Sequence, residues 1–356
     1  MDTISSSDRS SRFGDAYGEA KAIGQKQPAG TGGDAEVPGG EPAAGRLGPQ
    51  PLRFADVVGA HRPGTGHDQA GPTAPDRLEG PWQASEAMDL AIERAARFGV
   101  GLVSVRRGTH FGCAGYHARR AAERGMVGLV SSNCGRQRIA RPPGGRVALL
   151  GTNPLSVAAP AGAHPPFVLD MSTTAVPTGR VRAAARIGQQ IPPGWLADES
   201  GRDVTDPAAF DRGEAHLLWL GAANSAFKGF GLGLMVEVLS ALVAGSGFGP
   251  ADEALPADGR PSGRDDDIGM LMVAIAPALL RGPEAVARDA EQLFGTVLAC
   301  PPADGDHPVR YPGWPEAERA LRRREHGVLL EAPVHSELAG LADALGLPSP
   351  AGTGER

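Results

Sequence analysis

Gly108-Thr-His-Phe-Gly-Cys-Ala-Gly-Tyr116 lies between an apolar run, Val100 to Val105, and a helical pattern running from about Tyr116 to Arg124. Strand, glycine loop and helix start follow in that order. Glycines there let a ligand approach the backbone, and the unpaired N–H groups of a helix start favour a phosphate. The spacing is not G-x-G-x-x-G, however. Where a ribose-binding acid would stand about twenty positions later, the chain has Gly135 and Arg136. On spacing alone, a tight strand–helix turn and a ligand-cradling loop stand equal.

Working outward, Ala84, Met88, Ala91, Ala95 and Phe98 fall at helical spacing, with Gly99 placed to stop the helix. Val127 to Ser131, Phe167 to Leu169 and Met270 to Ala276 read as strands. A long apolar helix surrounds Leu232 to Val243, and further helices cover Pro283 to Leu298 and His335 to Leu345. Strands and helices alternate, so the expected class is α/β, a mixed sheet with helices, with α+β its neighbour. The core spans residues 78–347, followed by a tail at 348–356. Residues 1–77 are rich in glycine and proline and lack a sustained period, so we expect mostly loop or disorder there.

The 356 residues are 41% hydrophobic and 21% charged with a net charge of -6, which supplies no general attraction for nucleic acid or an acidic membrane. Arg322, Arg323 and Arg324 lie among glutamates and read as a solvated helix face. The 3 cysteines are widely spaced, which points to a reducing compartment. No signal peptide is visible. Gly229 to Gly245 is short for a membrane span and contains Glu237, so it reads as a buried core helix. The expected protein is soluble and cytoplasmic.

Further polar clusters punctuate the core. Gly151-Thr-Asn-Pro154 could orient a carboxylate or carbonyl, although Asn before Pro is also an ordinary turn former. Val168-Leu-Asp-Met-Ser-Thr-Thr174 ends an apolar strand in an acid and hydroxyls, and strand ends are where ligands commonly bind. Ile191-Pro-Pro-Gly-Trp195 precedes Thr205-Asp-Pro207, where Asp206 reads as a helix cap. Phe227-Lys-Gly-Phe-Gly231 places a lysine at the entrance of the apolar helix; such a lysine is a surface charge or meets an anion. His110, Cys113 and His117 lack a fourth ligand for zinc, so no metal is expected. Without G-x-S-x-G, a nucleophile-elbow hydrolase has no support. Asp265-Asp-Asp267 reads as a solvated charge run.

Taken in order, these pieces resemble the malate/L-lactate/ureidoglycolate dehydrogenase family, which includes diketogulonate and piperideine-2-carboxylate reductases. The resemblance rests on His110 to Tyr116, Gly144 to Pro154, Asp170 to Thr174, Ile191 to Trp195, Thr205 to Pro207, Lys228 to Leu232 and Tyr311 to Glu316, and runs from about Leu78 to Leu347. It implies a non-Rossmann fold, a homodimer, and NAD or NADP as cofactor. It also implies hydride exchange with a small 2-oxo or 2-hydroxy acid, or with a cyclic imino acid. By the same resemblance His110, Phe111, Gly112, Cys113 and Ala114 line the cofactor, together with Asp170, Met171, Ser172, Thr178, Gly179, Pro312 and Gly313. Thr152 contacts substrate, and Lys228 lies on the cofactor side. Arg136 and Arg138 lean toward NADP, since a 2′-phosphate needs a cation.

The chain departs from the family where the proton donor belongs. Residues 1–77 contain no Ser-His-Gly, and the nearest candidates are His61 and His67. A smaller departure stands before Met270, where many members have a histidine and this chain has Asp265-Asp-Asp-Ile-Gly269. Three readings compete: another acid is recruited, His67 first and His110 next; the chain is an impaired homologue that retains cofactor or partner binding; or a frameshift in GC-rich DNA produced the N-terminal stretch.

Overall fold

The computed structural model describes residues 80–256, 261–264, 266–330 and 332–349. The readings made for residues 1–77, His61 and His67 among them, lie outside the described residues.

Helix α1 (Gly80–Phe98) buries Ala84, Ala87, Met88, Ala91 and Ala95 along one face. Gly99 ends it with a left-handed φ of 85°, as its position suggested. Strand β1 (Val100–Gly108) follows. A Cβ on Gly101 would lie 1.9 Å from the Ala91 carbonyl, so the glycine is what lets helix and strand backbones touch. Helix α2 (Ala114–Ala122) packs similarly: its Ala118 carbonyl lies 2.3 Å from where a Cβ on Gly128 of β2 (Val127–Ser132) would stand. Small side chains thus bring these helices close to the sheet, and Val103, Val105, Val130, Met270 and Met272 fill the layer between.

The sheet is completed by β3 (Leu155–Ala161), β4 (His164–Met171) and β8 (Ile268–Ile275), in the order β1-β8-β2-β3-β4. β1, α2 and β2 form a crossover, yet β8 lies between the two strands and pairs antiparallel with both. Every pairing in this sheet is antiparallel, because the strand that fills the gap comes from far along the chain. Among the described residues, helices and sheet are therefore mixed in the way expected, with the pairing of an α+β layer rather than a parallel sheet.

A second core gathers Ile139, Leu150, Val181, Leu196, Phe210, Leu217 and Trp219. Around it lie helix α3 (Thr178–Arg186), strands β5 (Leu196–Ala197), β6 (Asp203–Val204) and β7 (His216–Leu217), and the short helix α4 (Ala208–Asp211). Asp206 caps α4 as expected, its Oδ1 accepting from the Ala208 N–H at 3.0 Å.

Helix α5 (Ala222–Val236) continues as a wider π-helical stretch over Glu237–Leu242. Here the expectation of a buried core helix is corrected. Only 33% of Ser225–Leu242 is buried, and Phe227, Leu234, Met235, Val238 and Leu242 are exposed. Apolar residues all round a helix need partners on both faces, and the described residues supply one. Among the described residues Ser225–Leu242 is the stretch long and apolar enough to cross a membrane, judged by length and composition alone.

Helices α6 (Pro277–Arg281) and α7 (Pro283–Leu298) complete the first compact unit, which ends at Gly313 inside the 78–347 core read from the sequence. The second unit holds α8 (Trp314–His326) and α9 (Ala332–Leu345). Within it Arg322, Arg323 and Arg324 are exposed, as their charged neighbours suggested.

Candidate functional site

The loop that opens α2 meets the end of β4. Asp170 Oδ2 accepts the Gly115 N–H and the Cys113 thiol, each at 2.8 Å. The helix start was expected to favour a phosphate. Its N–H at Gly115 instead already serves a carboxylate from within the chain, the preferred charge at that helix end. Burial, and then the bond to Asp170, push the Cys113 thiol above its usual pKa, so it stays protonated and donates. Gly112, at φ 83°, faces open space. His110 is exposed, and its Nδ1 accepts from the Gly112 N–H at 3.3 Å. Phe111 and Ala114 are buried in the first core, and Met171 and Ser172 are half-buried. His117 is turned inward, with Nε2 3.1 Å from the Phe111 carbonyl and Nδ1 3.4 Å from Ser85 Oγ, and burial lowers its pKa.

Thr173 ties three of the motifs together. Its N–H and its hydroxyl both donate to the Thr152 carbonyl, at 2.9 and 3.0 Å. Its own carbonyl accepts from the Leu220 N–H and would lie 2.9 Å from a Cβ on Gly229. Its hydroxyl oxygen would lie 3.1 Å from a Cβ on Gly233. Glycines one helical turn apart therefore seat α5 on the residues that follow β4, and Lys228 is carried there with them. The Lys228 ammonium is exposed, 5.9 Å from the Phe227 ring centre. The half-buried Thr152 hydroxyl is 3.4 Å from Cys134 Sγ.

Two further pieces were expected here. Thr178 and Gly179 open α3, whose first N–H groups have no side-chain cap; a Cβ on Gly179 would meet open space. The Pro312–Gly313 turn lies along β4: the Val168 N–H donates to the Pro312 carbonyl at 2.9 Å, and Gly313 has φ 95°. A Cβ there would stand 2.7 Å from the Val168 nitrogen, so the close approach requires glycine.

The two arginines behind the lean toward NADP both meet carboxylates of the chain. Arg136 lies 3.6 Å from Asp266 and 3.3 Å from Asp267. Arg138 is buried, donating to the Gly249 carbonyl at 2.8 Å and meeting Glu253 at 3.2 Å. Arg138 is held inside the fold, while Arg136 keeps half of its side chain exposed. The Asp265–Asp267 run is likewise not simply solvated, since Asp266 and Asp267 meet Arg136; Asp265 lies outside the described residues. Sequence reasoning missed Thr173, whose role depends on contacts with distant segments. It read Asn153 as a turn former or an orienter of a carboxylate or carbonyl, not as the partner of Glu237, which it named only as a charge within an apolar run.

The sequence profile described as malate/L-lactate dehydrogenase matches residues 75–339. A malate dehydrogenase from Pyrococcus abyssi is 41% identical over 163 residues, 45% of this chain and 44% of that enzyme. An L-sulfolactate dehydrogenase from Methanocaldococcus jannaschii is 32% identical over 262 residues, 74% of this chain and 72% of that enzyme. Two other relatives carry a cofactor in their names. Ureidoglycolate dehydrogenase (NAD+) of Escherichia coli O157:H7 is 32% identical over 76% of this chain and 73% of its own length. A (2R)-3-sulfolactate dehydrogenase (NADP+) of Chromohalobacter salexigens is 34% identical over 70% and 68%. The solved structure of malate dehydrogenase from Entamoeba histolytica superposes with a TM-score of 0.67 at 28% identity, covering 75% of this chain and 74% of that one.

Proposed function

The chain belongs to the malate/L-lactate dehydrogenase family, and from that membership we propose that it exchanges a hydride between NADH or NADPH and a small 2-oxo acid or cyclic imino acid. The observation that carries this reading is the meeting at Thr173 of the Thr152 loop, the end of β4 and the start of α5. It joins the backbone of the Thr152 loop and the glycine that follows Lys228 to the end of β4, which supports reading these segments as one site. The reduced nicotinamide supplies the hydride when bound. The chain supplies alignment: His110 to Ala114, Asp170 to Ser172, Thr178–Gly179 and Pro312–Gly313 hold the cofactor, while the Thr152 hydroxyl hydrogen-bonds the substrate. Lys228 offers a cation for the substrate carboxylate or for phosphate.

The proton comes from His67 or, failing that, His110. A positioned general acid contributes about 10²–10⁴-fold, so replacing the acting histidine by Gln lowers kcat by that order. The relatives reported above are named as dehydrogenases, and they lend no support to an impaired homologue. The exposed apolar face of α5 suits a second copy of the chain, and the free cysteines suit a reducing cytoplasm.

The test is oxidation of NADH and NADPH with oxaloacetate, pyruvate, sulfopyruvate and Δ1-piperideine-2-carboxylate, alongside thermal shift with each cofactor. Turnover of at least one pair is expected. No turnover and no shift with either cofactor would sink the reading.

A further inference from the structure

Behind Thr152 lies a buried polar cluster that the reading above leaves without a task. Asn153, fully buried, adopts a left-handed φ of 40°. Its Nδ2 donates to the Gly233 carbonyl at 2.9 Å and to Glu237 Oε2 at 3.3 Å. Gly233 and Glu237 stand one turn apart, where α5 widens into its π-helical stretch. Such widenings recur at functional sites. Glu237 is buried in its turn, and its Oε1 accepts from the Gly249 N–H at 2.8 Å. Burial pushes its pKa up against these bonds.

The amide cannot be reversed. Both groups facing Nδ2 are acceptors, so turning Oδ1 toward them would set oxygen against oxygen. In the observed orientation Oδ1 is buried without a partner among the described residues, a cost the protein accepts to keep Asn153 in place. The neighbouring peptide carries Thr152, whose carbonyl is already held twice by Thr173. Two separate locks therefore converge on one threonine.

We propose that Glu237, acting through Asn153, is a positioning residue that fixes the Thr152 hydroxyl for the substrate. The inference rests on the reading of Thr152 as a substrate contact. Glu237 does not itself touch the substrate. Its carboxylate holds the Asn153 amide, and the amide holds the backbone turn that aims the hydroxyl. The same carboxylate reaches the Gly249 loop, so the substrate side of the site is tied to the core of α5.

The discriminating variant is Glu237→Gln, which keeps volume but has one acceptor where the carboxylate has two, so the Asn153 amide and the Gly249 N–H can no longer both be held. Asn153→Gly is its companion: glycine accepts the left-handed backbone while losing both side-chain bonds. With the best substrate of the panel above, each is expected to raise KM about tenfold, the scale of one charge-assisted hydrogen bond. The Kd for NADH, read by fluorescence, is expected to stay within about twofold of that of the unaltered chain. Each variant is then combined with Thr152→Ala. If Glu237 works through Thr152, it adds nothing further to KM in that background. Additive effects on KM, or a loss of NADH affinity equal to the loss of substrate affinity, would overturn the inference in favour of a general structural role. If Thr152→Ala alone leaves KM unchanged, the substrate reading of Thr152 fails instead. An unaltered chain without turnover would remove both.

Discussion

A methyl group on Gly115 would stand 2.9 Å from Asp170 Oδ2 and 3.1 Å from a Val168 methyl. Asp170 Cβ would stand at 3.0 Å as well, so Gly115→Ala pushes the Asp170 side chain as a whole away from the α2 N–H. We expect Kd for NADH to rise about tenfold, the scale of a lost charge-assisted bond, with the melting temperature changed by only a few degrees. Fluorescence titration beside thermal melts checks it; unchanged affinity would mean that Asp170 does not serve the cofactor. The glycine itself was legible in Gly108 to Tyr116. Its partner was not, because Asp170 lies 55 residues further on and nothing local links the two. The opposite holds for Arg136 and Arg138. Their charges were legible, but whether they were free for a phosphate depended on Asp266, Asp267 and Glu253.

At the scale of elements, the short strands β5, β6 and β7 show why some pieces escaped the sequence. Each pairs through only a few residues, too few for an alternating pattern to emerge. Yet β7 holds a group that reports on their folding. Burial first, and then the Arg141 charge, depress the His216 pKa from 6.5 to about 4. The folded chain resists the proton that the unfolded chain accepts. Its contribution is whole above pH 6.5, is lost as pH falls from 6.5 toward 4, and does not change further below that. Thermal melts across this window should show falling stability, with a shallower fall in His216→Gln. An identical slope in the two proteins would show that His216 stays protonatable in the fold. Strand β3 escaped for a different reason: Leu155 to Ala161 carries alanines and a proline where a strand usually shows branched residues, and only its place between β2 and β4 makes it one.

At the scale of the whole molecule, α5 presents a face that the described residues leave uncovered. Leu242 is 70% exposed and Val238 44%. A second copy would bury such a face, so Val238→Lys with Leu242→Glu should shift a dimer to monomer in sedimentation or light scattering. An unaltered protein that is monomeric at micromolar concentration would refute the dimer. The sequence by itself determined the principal helices and strands of the core, since periodicity and glycine stops act over a few residues. It also determined family membership, since many modest motifs in one order leave little room for coincidence. Only the tertiary structure decided that β8 separates β1 from β2, that α5 is half exposed, and that the helix start in Gly108 to Tyr116 meets a carboxylate of its own chain. Each of these depends on pairings between residues far apart in sequence, where contact is set by packing and desolvation and not by local pattern.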